Sequence, residues 1–383
     1  MTPFTFNTTP SLRMGAGLVR RLGDIVRPVC GNSILLVTDP GIVATGLVAQ
    51  VLVTLRKVGL TVVVFDQVQA DPPESIILKA AEMAQDVTGV VGFGGGSSLD
   101  VAKLAALLGA SNQPLAEAYG IGNAKGPRLP LVLVPTTAGT GSEVTPISIV
   151  TTGASEKMGV VSPIILPDVA VLDPELTLGL PAHVTAATGI DAMVHAIEAY
   201  ASANPNNNPV SRALAVEALR LMGRVLQRAV DTPGNIEARS DMMLGSMLAG
   251  QAFANSPVAA VHALAYPIGG HYKVPHGLSN ALVLPHVLRF NAEAAPLAYA
   301  ELLPHVFPQV SDTGVGDAAV KFVEGMAALS RACGLPQNLR DVGIEKEALP
   351  MLACDAMNQT RLLVNNPRPV DEAAALAIYE AAW

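Results

Sequence analysis

One aspartate and three histidines carry the chemistry this sequence can be read for. Asp191 and His195 stand four apart in Gly189-Ile-Asp-Ala-Met-Val-His-Ala-Ile-Glu198. That stretch reads as helix, so both side chains leave one face. Ile190, Val194 and Ile197 flank them, and a carboxylate among apolar neighbours is costly unless it is paired or holds a cation. Further along come His262 and His276, the second within Val274-Pro-His-Gly-Leu-Ser279. Ala263, Pro275 and Gly277 beside them leave room for close approach. One carboxylate and three imidazoles suffice for a divalent transition metal. His271 competes with His262 for the third imidazole place, because spacing alone does not choose between them. His183, His286 and His305 read as satisfied core histidines.

A second group of residues suits a dinucleotide. Phe93-Gly-Gly-Gly-Ser-Ser-Leu-Asp100 lies between a predicted strand and a predicted helix. Glycines there let backbone amides approach a pyrophosphate, and the helix N-terminus stabilises its charge. The run is not G-x-G-x-x-G, and a capping box between Ser97 and Asp100 would explain it without any ligand. Asp39 follows the first strand, where a carboxylate can bond both ribose hydroxyls and repel a 2′-phosphate; taken by itself it reads as an ordinary turn residue ahead of Pro40. Pro135-Thr-Thr-Ala-Gly-Thr-Gly-Ser-Glu-Val-Thr145 gathers five hydroxyls and two glycines after an apolar strand. Such a loop offers neutral donors without bulk beside a bound dinucleotide, or is a hydroxyl-rich turn. Lys157, in a polar stretch, has the reach to meet a phosphate. Together with the metal constellation, these features point to a metal-dependent nicotinamide oxidoreductase.

The elements that must position these residues differ between the two halves of the chain. Strands are predicted at 33–38, 61–65, 89–93, 131–134 and 169–172. Helices are predicted at 42–57, 74–85 and 98–108. Continuous apolar strands about 30 residues apart indicate a parallel sheet covered on both faces. Beyond Pro181 the β signature fades and long Ala/Leu/Met helices follow, broken at 204–209 and 231–235. The expected fold is α/β plus all-α: an α/β dinucleotide-binding domain over 1–180 and a helical metal and substrate domain over 181–383.

Composition sets outer limits. The 383 residues are 50% hydrophobic and 15% charged, yet no apolar run reaches the roughly 18 residues of a membrane span. The surplus of Ala, Val and Leu suits buried helices, a parallel sheet and an oligomer interface, so a homodimer or higher homo-oligomer is expected. A formal charge of −8 gives nucleic-acid binding no electrostatic support. Cys30, Cys333 and Cys354 are isolated, which argues against a disulfide framework or a thiolate metal site. No secretory signal pattern opens the chain, and the expected location is the cytoplasm.

Taken together, Gly94-Gly-Gly-Ser97, Pro135-Thr-Thr-Ala-Gly-Thr-Gly-Ser-Glu143, Gly189-Ile-Asp-Ala-Met-Val-His-Ala-Ile-Glu198, His262 with Pro275-His-Gly277, and Leu284-Pro-His-Val287 resemble the iron-containing (group III) alcohol dehydrogenase family, in that family's order and over nearly the whole chain. The resemblance implies NAD(H) with one divalent metal, Fe²⁺ or in some members Zn²⁺. By motif position it assigns the metal to Asp191, His195, His262 and His276. It gives Asp39 a preference for NAD over NADP, the pyrophosphate to Gly95, Gly96 and Ser97, and the rest of the cofactor to Thr136, Thr137, Thr140, Ser142 and Lys157, with Asp100 in the same cluster. The activity implied is hydride transfer between nicotinamide and an alcohol carbon whose oxygen is activated by the metal as Lewis acid. The substrate is expected to be a small alcohol, aldehyde or ketone, or a hydroxy acid. Maleylacetate reductases and hydroxyacid–oxoacid transhydrogenases share the fold and are the alternatives. One departure stands out: many members carry a second His four residues after the third ligand, and this chain has Tyr266. A phenol, with a reference pKa near 10, is a weaker base at neutral pH but can relay a proton.

Overall fold

The computed structural model describes residues 3–111, 113–153, 156–310 and 314–383. The chain divides into a sheet unit, Asn7–Gly179, and a helical unit that runs from Leu180 to Trp383 and also takes in residues 3–6. Those first residues group with the helices because Thr5 and Asn206 exchange two hydrogen bonds of 2.9 Å.

The sheet unit carries strands β1 (Ser11–Met14), β2 (Ser33–Val37), β3 (Thr61–Phe65), β4 (Gly89–Gly94), β5 (Gly120–Ile121), β6 (Leu131–Pro135), β7 (Ile147–Thr152), β8 (Glu156–Val161) and β9 (Val169–Leu172). Its helices are α1 (Leu22–Cys30), α2 (Pro40–Ala44), α3 (Leu47–Lys57), α4 (Glu74–Ala84), α5 (Gly96–Ala110) and the short α6 (Leu115–Ala118). Six strands form one sheet in the order β1-β9-β6-β4-β2-β3, with every pairing parallel. Side chains alternate across it with the two-residue strand period. Leu35, Val37, Leu131 and Leu133 pack with α4 and α5 residues such as Ile77 and Leu104. Ile34, Leu36, Val132 and Val134 meet Val26, Val51 and Leu55 from α1 and α3 on the other face. Burial on both faces is why these strands read as unbroken apolar runs rather than alternating ones.

Local geometry departs from the sequence reading in several places. The helix expected over 42–57 is two helices, because Gly46 adopts φ 80° and ends α2 before α3 begins. The helix expected from Ser98 starts at Gly96, with Gly95 as its N-cap and no side-chain cap. The capping box read for Ser97 and Asp100 therefore does not form. Lys157 lies on a strand, opposite Thr151 in the antiparallel β7–β8 pair. That small sheet and the edge strand β1 carried no strong period in the sequence.

The helical unit holds α7 (Ala182–Ala201), α8 (Pro209–Asp231), α9 (Ile236–Asn255), α10 (Ala260–Tyr272), α11 (His276–Ala292), α12 (Pro296–Val306), α13 (Val315–Ala332), α14 (Leu349–Ala356), α15 (Thr360–Leu363) and α16 (Glu372–Ala382). One asparagine of each sequence break is a helix cap: Asn208 accepts from the Ser211 amide at 3.0 Å and Asn235 from the Ala238 amide at 2.8 Å. From Gly189 to Tyr200 every residue of α7 is buried, as in a helix surrounded by others. At Gly277 the start of α11 comes against α7 so closely that a Cβ would lie 2.5 Å from the Ala187 carbonyl oxygen. No helix among the described residues is long and apolar enough to cross a membrane.

Candidate metal centre

Three helices bring the four predicted ligands together. Asp191 and His195 project from α7, His262 from the first turn of α10, and His276 opens α11. Each contributes one donor atom, and the four atoms lie within 4.8 Å of one another. Asp191, His195 and His262 are buried, while the His276 side chain keeps 40% of its surface exposed, so the cluster opens on that side. Asp191 Oδ1 stands 3.9 Å from His262 Nε2 and 3.6 Å from His276 Nε2. The His195 ring lies between His262, at 4.7 Å, and Phe253, stacked at 4.3 Å.

The chemistry of this donor set fits a divalent cation. His262 Nε2 is buried with no hydrogen-bond partner among the described residues, and a buried unpaired acceptor of this kind needs an explanation. Burial would push the Asp191 carboxyl up, but the imidazoles of His195, His276 and His262 and the Asn280 amide overrule it and hold it below its ordinary value. Asp191 is therefore available as an anion. Asn280 Nδ2 donates to Asp191 Oδ1 at 2.6 Å. Glu198, one helical turn beyond His195, places Oε2 2.6 Å from His262 Nδ1 and accepts the Val261 amide at 2.7 Å through Oε1.

The remaining histidines lie elsewhere. His271 is outside the cluster and pairs with Asp355 at 2.7 Å on the surface, so geometry separates two imidazoles that spacing left level. His183 is exposed rather than part of a core. His286 is partly buried, and desolvation followed by the Arg289 charge lowers it to about 4. Tyr266 sits one turn past His262, its ring 5.9 Å from that of His276 and tilted by 50°.

Within the sheet unit, most of the expected cofactor residues gather at the C-terminal ends of β2, β4 and β6, where open α/β sheets bind ligands. Asp39 caps α2 through the Ile42 amide at 3.0 Å, and its other oxygen accepts the Ser98 hydroxyl at 3.0 Å. Asp39, read as a turn residue ahead of Pro40, is thus the N-cap of a helix and is tied as well to the glycine turn. Gly94 has φ 155°, and a Cβ there would meet Ser98 Oγ at 2.7 Å; one on Gly96 would meet Thr140 Cγ2 at 2.7 Å. The turn and the 135–145 loop consequently pack backbone to side chain, with Gly95 facing Thr137 and Ser97 in the first turn of α5. Thr136 is buried, its hydroxyl has no hydrogen-bond partner among the described residues, and its amide bonds the Gly94 carbonyl at 2.9 Å.

Two of the expected contacts, Asp100 and Ser142, are engaged with each other. The Ser142 hydroxyl donates to Asp100 Oδ1 at 2.6 Å, and Asp100 Oδ2 accepts the Ile149 amide at 2.9 Å. Lys157 is not brought into this group; it pairs with Asp71 at 2.7 Å and donates to Thr151 at 2.9 Å. The centre of the network is a residue the sequence reading passed over. Lys103, fully buried, donates to Ser142 Oγ at 2.8 Å, Thr145 Oγ1 at 3.2 Å and the Ile147 carbonyl at 2.7 Å, and pairs with Asp100 at 3.4 Å. Burial lowers its pKa, against the charges of Asp100 and Glu143. Burial likewise raises Glu143 to about 7, which Lys103 only partly offsets. The available signal was a lone lysine within the apolar run 101–110 of α5, three residues from Asp100.

A parallel-sheet unit with a glycine turn at its ligand-binding edge, and a helical unit with an Asp–His₃ cluster, define a metal-dependent nicotinamide dehydrogenase. Residues 9–174 match the iron-containing alcohol dehydrogenase family and residues 185–383 match the C-terminal part of the Fe-containing alcohol dehydrogenase family. Long-chain-alcohol dehydrogenase 1 of Geobacillus thermodenitrificans (strain NG80-2) is 42% identical over 98% of this chain and 95% of its own. A crystal structure of 1,3-propanediol oxidoreductase superposes with a TM-score of 0.95 at 36% identity, covering 100% of both chains. The sulfoacetaldehyde reductase of Bifidobacterium kashiwanohense, solved in complex with NAD⁺, does so with a TM-score of 0.88 at 28% identity, over 100% of this chain and 99% of the other. The chain belongs to the iron-containing alcohol dehydrogenase family. Its activity is that of an oxidoreductase on CH–OH groups, with NAD(H) and a divalent metal as cofactors.

Proposed function

We propose that Asp191, His195, His262 and His276 hold the single divalent metal, loaded as Fe²⁺ and replaceable by Zn²⁺, and that the physiological substrates are small neutral alcohols or diols. The observation that carries the ligand assignment is the convergence of four N and O donors within 4.8 Å, one of them a buried His262 Nε2 with no hydrogen-bond partner among the described residues. When bound, the metal supplies Lewis acidity to the substrate oxygen, and NAD(H) accepts or supplies the hydride. The protein's own groups do the rest. Asp191 brings one negative charge to a buried site, and the imidazoles bind as neutral ligands. Phe253, against His195, and Tyr266, against His276, give the cluster aromatic walls, which suit the carbon chain of a neutral substrate and exclude water. The Tyr266 phenol takes the place of the family histidine as the group that holds and relays the alcohol proton.

On the cofactor side, Gly95, Gly96 and Ser97 receive the pyrophosphate at the start of α5. Thr136, Thr137 and Thr140 line the neighbouring loop. Asp39 faces the adenosine ribose and disfavours a 2′-phosphate. Asp100 and Ser142 serve by fixing the loop, through the bond between them. Lys157 remains a candidate for a phosphate contact only if it leaves Asp71. A homodimer is the proposed assembly, supported by the exposed Leu12 and Met14 on the edge strand β1, since an open strand edge invites pairing. Three free cysteines support a cytoplasmic setting.

The test is steady-state NADH formation by the Fe²⁺- or Zn²⁺-loaded enzyme across primary alcohols, diols and hydroxy acids. The expected order of kcat/KM puts alcohols and diols well above hydroxy acids. A hydroxy acid as best substrate, or hydride exchange between two substrates without net NADH, overturns the substrate assignment.

A further inference from the structure

Glu198 makes two bonds, and both go to the beginning of α10. Its Oε1 accepts the Val261 amide at 2.7 Å, in a first turn that has no side-chain cap of its own. Its Oε2 lies 2.6 Å from His262 Nδ1. Glu198 is 5% exposed, so these bonds are made out of contact with water, where each is strong and expensive to break.

The tautomer of a neutral His262 follows from donor counting. A carboxylate only accepts, so the hydrogen in the Glu198–His262 bond sits on Nδ1. The neutral ring then carries its lone pair on Nε2, the buried atom with no partner among the described residues. That lone pair is 3.9 Å from Asp191 Oδ1, another acceptor. Two buried acceptors turned toward each other repel unless a cation lies between them. Glu198 also brings a second negative charge: with Asp191 it balances a divalent ion, whereas the four ligands alone would leave the buried site with a net positive charge.

We infer that Glu198 is a positioning residue for the metal centre: it fixes His262 in the Nδ1–H tautomer with Nε2 aimed at the ion, and its charge raises the site's affinity for a divalent metal. The inference rests on the ligand assignment proposed above. Outer carboxylates of this kind are worth on the order of 10- to 100-fold in metal affinity.

Glu198→Gln separates this role from a purely structural one. Glutamine keeps the length and an acceptor oxygen, so it can still cap α10, but it lacks the charge and one of the two strong acceptors. The measurement is the Zn²⁺ dissociation constant of the full-length apoprotein, read by competition with a chromophoric chelator, alongside the melting temperature of the apoprotein and its Kd for NAD⁺. The expected result is a Zn²⁺ affinity about 10- to 100-fold weaker, with melting temperature and NAD⁺ affinity close to wild type. Wild-type Zn²⁺ affinity in Glu198→Gln, with His262→Ala losing the metal, overturns the role of Glu198 while leaving the ligand set intact. Full Zn²⁺ binding by His262→Ala overturns the ligand set itself. Should Glu198→Gln not fold, Glu198→Asp is read in its place: it keeps the charge but withdraws it by one carbon, and wild-type affinity there counts against the inference.

Discussion

Replacing Gly277 by alanine tests the link between helix packing and the metal centre. Gly277 follows His276 at the start of α11, and its hydrogen faces α7. A Cβ would lie 2.5 Å from the Ala187 carbonyl oxygen, 2.9 Å from the Ala187 carbonyl carbon and 3.2 Å from Asp191 Cβ. Ordinary contact begins near 3.4 Å, and the two nearest atoms are backbone, which cannot rotate aside. The start of α11 must retreat by about 1 Å, at a cost of roughly 1–3 kcal/mol typical of overpacking. That retreat carries His276 away from Asp191, now 3.6 Å apart at the donor atoms. Misplacement on this scale costs about 100-fold in turnover. The assay is metal content by elemental analysis after gel filtration, kcat with a saturating primary alcohol, and thermal melting. Gly316→Ala, in α13 with nothing within 4 Å of the added methyl, is the control and should match wild type. Full metal occupancy and turnover in Gly277→Ala would refute the claim that this contact sets the position of His276.

Three further outcomes are expected. Asp39→Asn keeps an acceptor for the α2 cap but removes the charge, so the NAD⁺ over NADP⁺ preference in kcat/KM should narrow by about tenfold or more; an unchanged ratio would exclude Asp39 as its source. Tyr266→Phe should lower kcat with metal content unchanged, and Tyr266→His should move the alkaline limb of the pH–rate profile toward neutrality; an unmoved profile in both confines Tyr266 to filling space beside His276. Glu143 is held near pH 7 by burial, from an ordinary 4.5. Below 4.5 both folded and unfolded forms are protonated, and from there to 7 only the unfolded form ionises. Stability therefore falls as pH rises through that window and stays lower above it. Glu143→Gln should remove that fall, worth up to roughly 3 kcal/mol, as read by urea unfolding at pH 5 and pH 8; parallel pH dependences in the two proteins would contradict it.

Local patterns reached a long way in this chain. The strands at 33–37 and 169–172 and the helix bearing Asp191 and His195 follow from short-range periodicity, because burial on both faces or all round leaves uninterrupted apolar runs; the edge strand at 61–65, partly open to solvent, follows instead from its β-branched run. The breaks at Asn208 and Asn235 follow from asparagine's preference for capping. The same local rules missed the α2–α3 division at Gly46, where one positive φ interrupts an otherwise helical pattern. They also missed β7 and β8: the buried positions of β7 are Ser148 and Val150, so residue polarity does not track burial there.

The sequence by itself determined the ligand types, the pairing of Asp191 with His195 one helical turn apart, and the glycine turn after β4, since each depends on residues within about one turn of each other. Only the tertiary structure shows His262 beside Asp191 with His271 apart from them, puts Glu198 behind the His262 ring, joins Asp100 to Ser142 through a buried Lys103, and leaves Lys157 with Asp71. Those outcomes depend on which faces of α7, α10 and α11 meet, and on where α5 packs against the 135–149 segment. Glu198 and His262 are 64 positions apart, and nothing in their local spacing encodes the contact. It exists because burying a charged group requires a partner, and the packing of helices decides which partner is within reach.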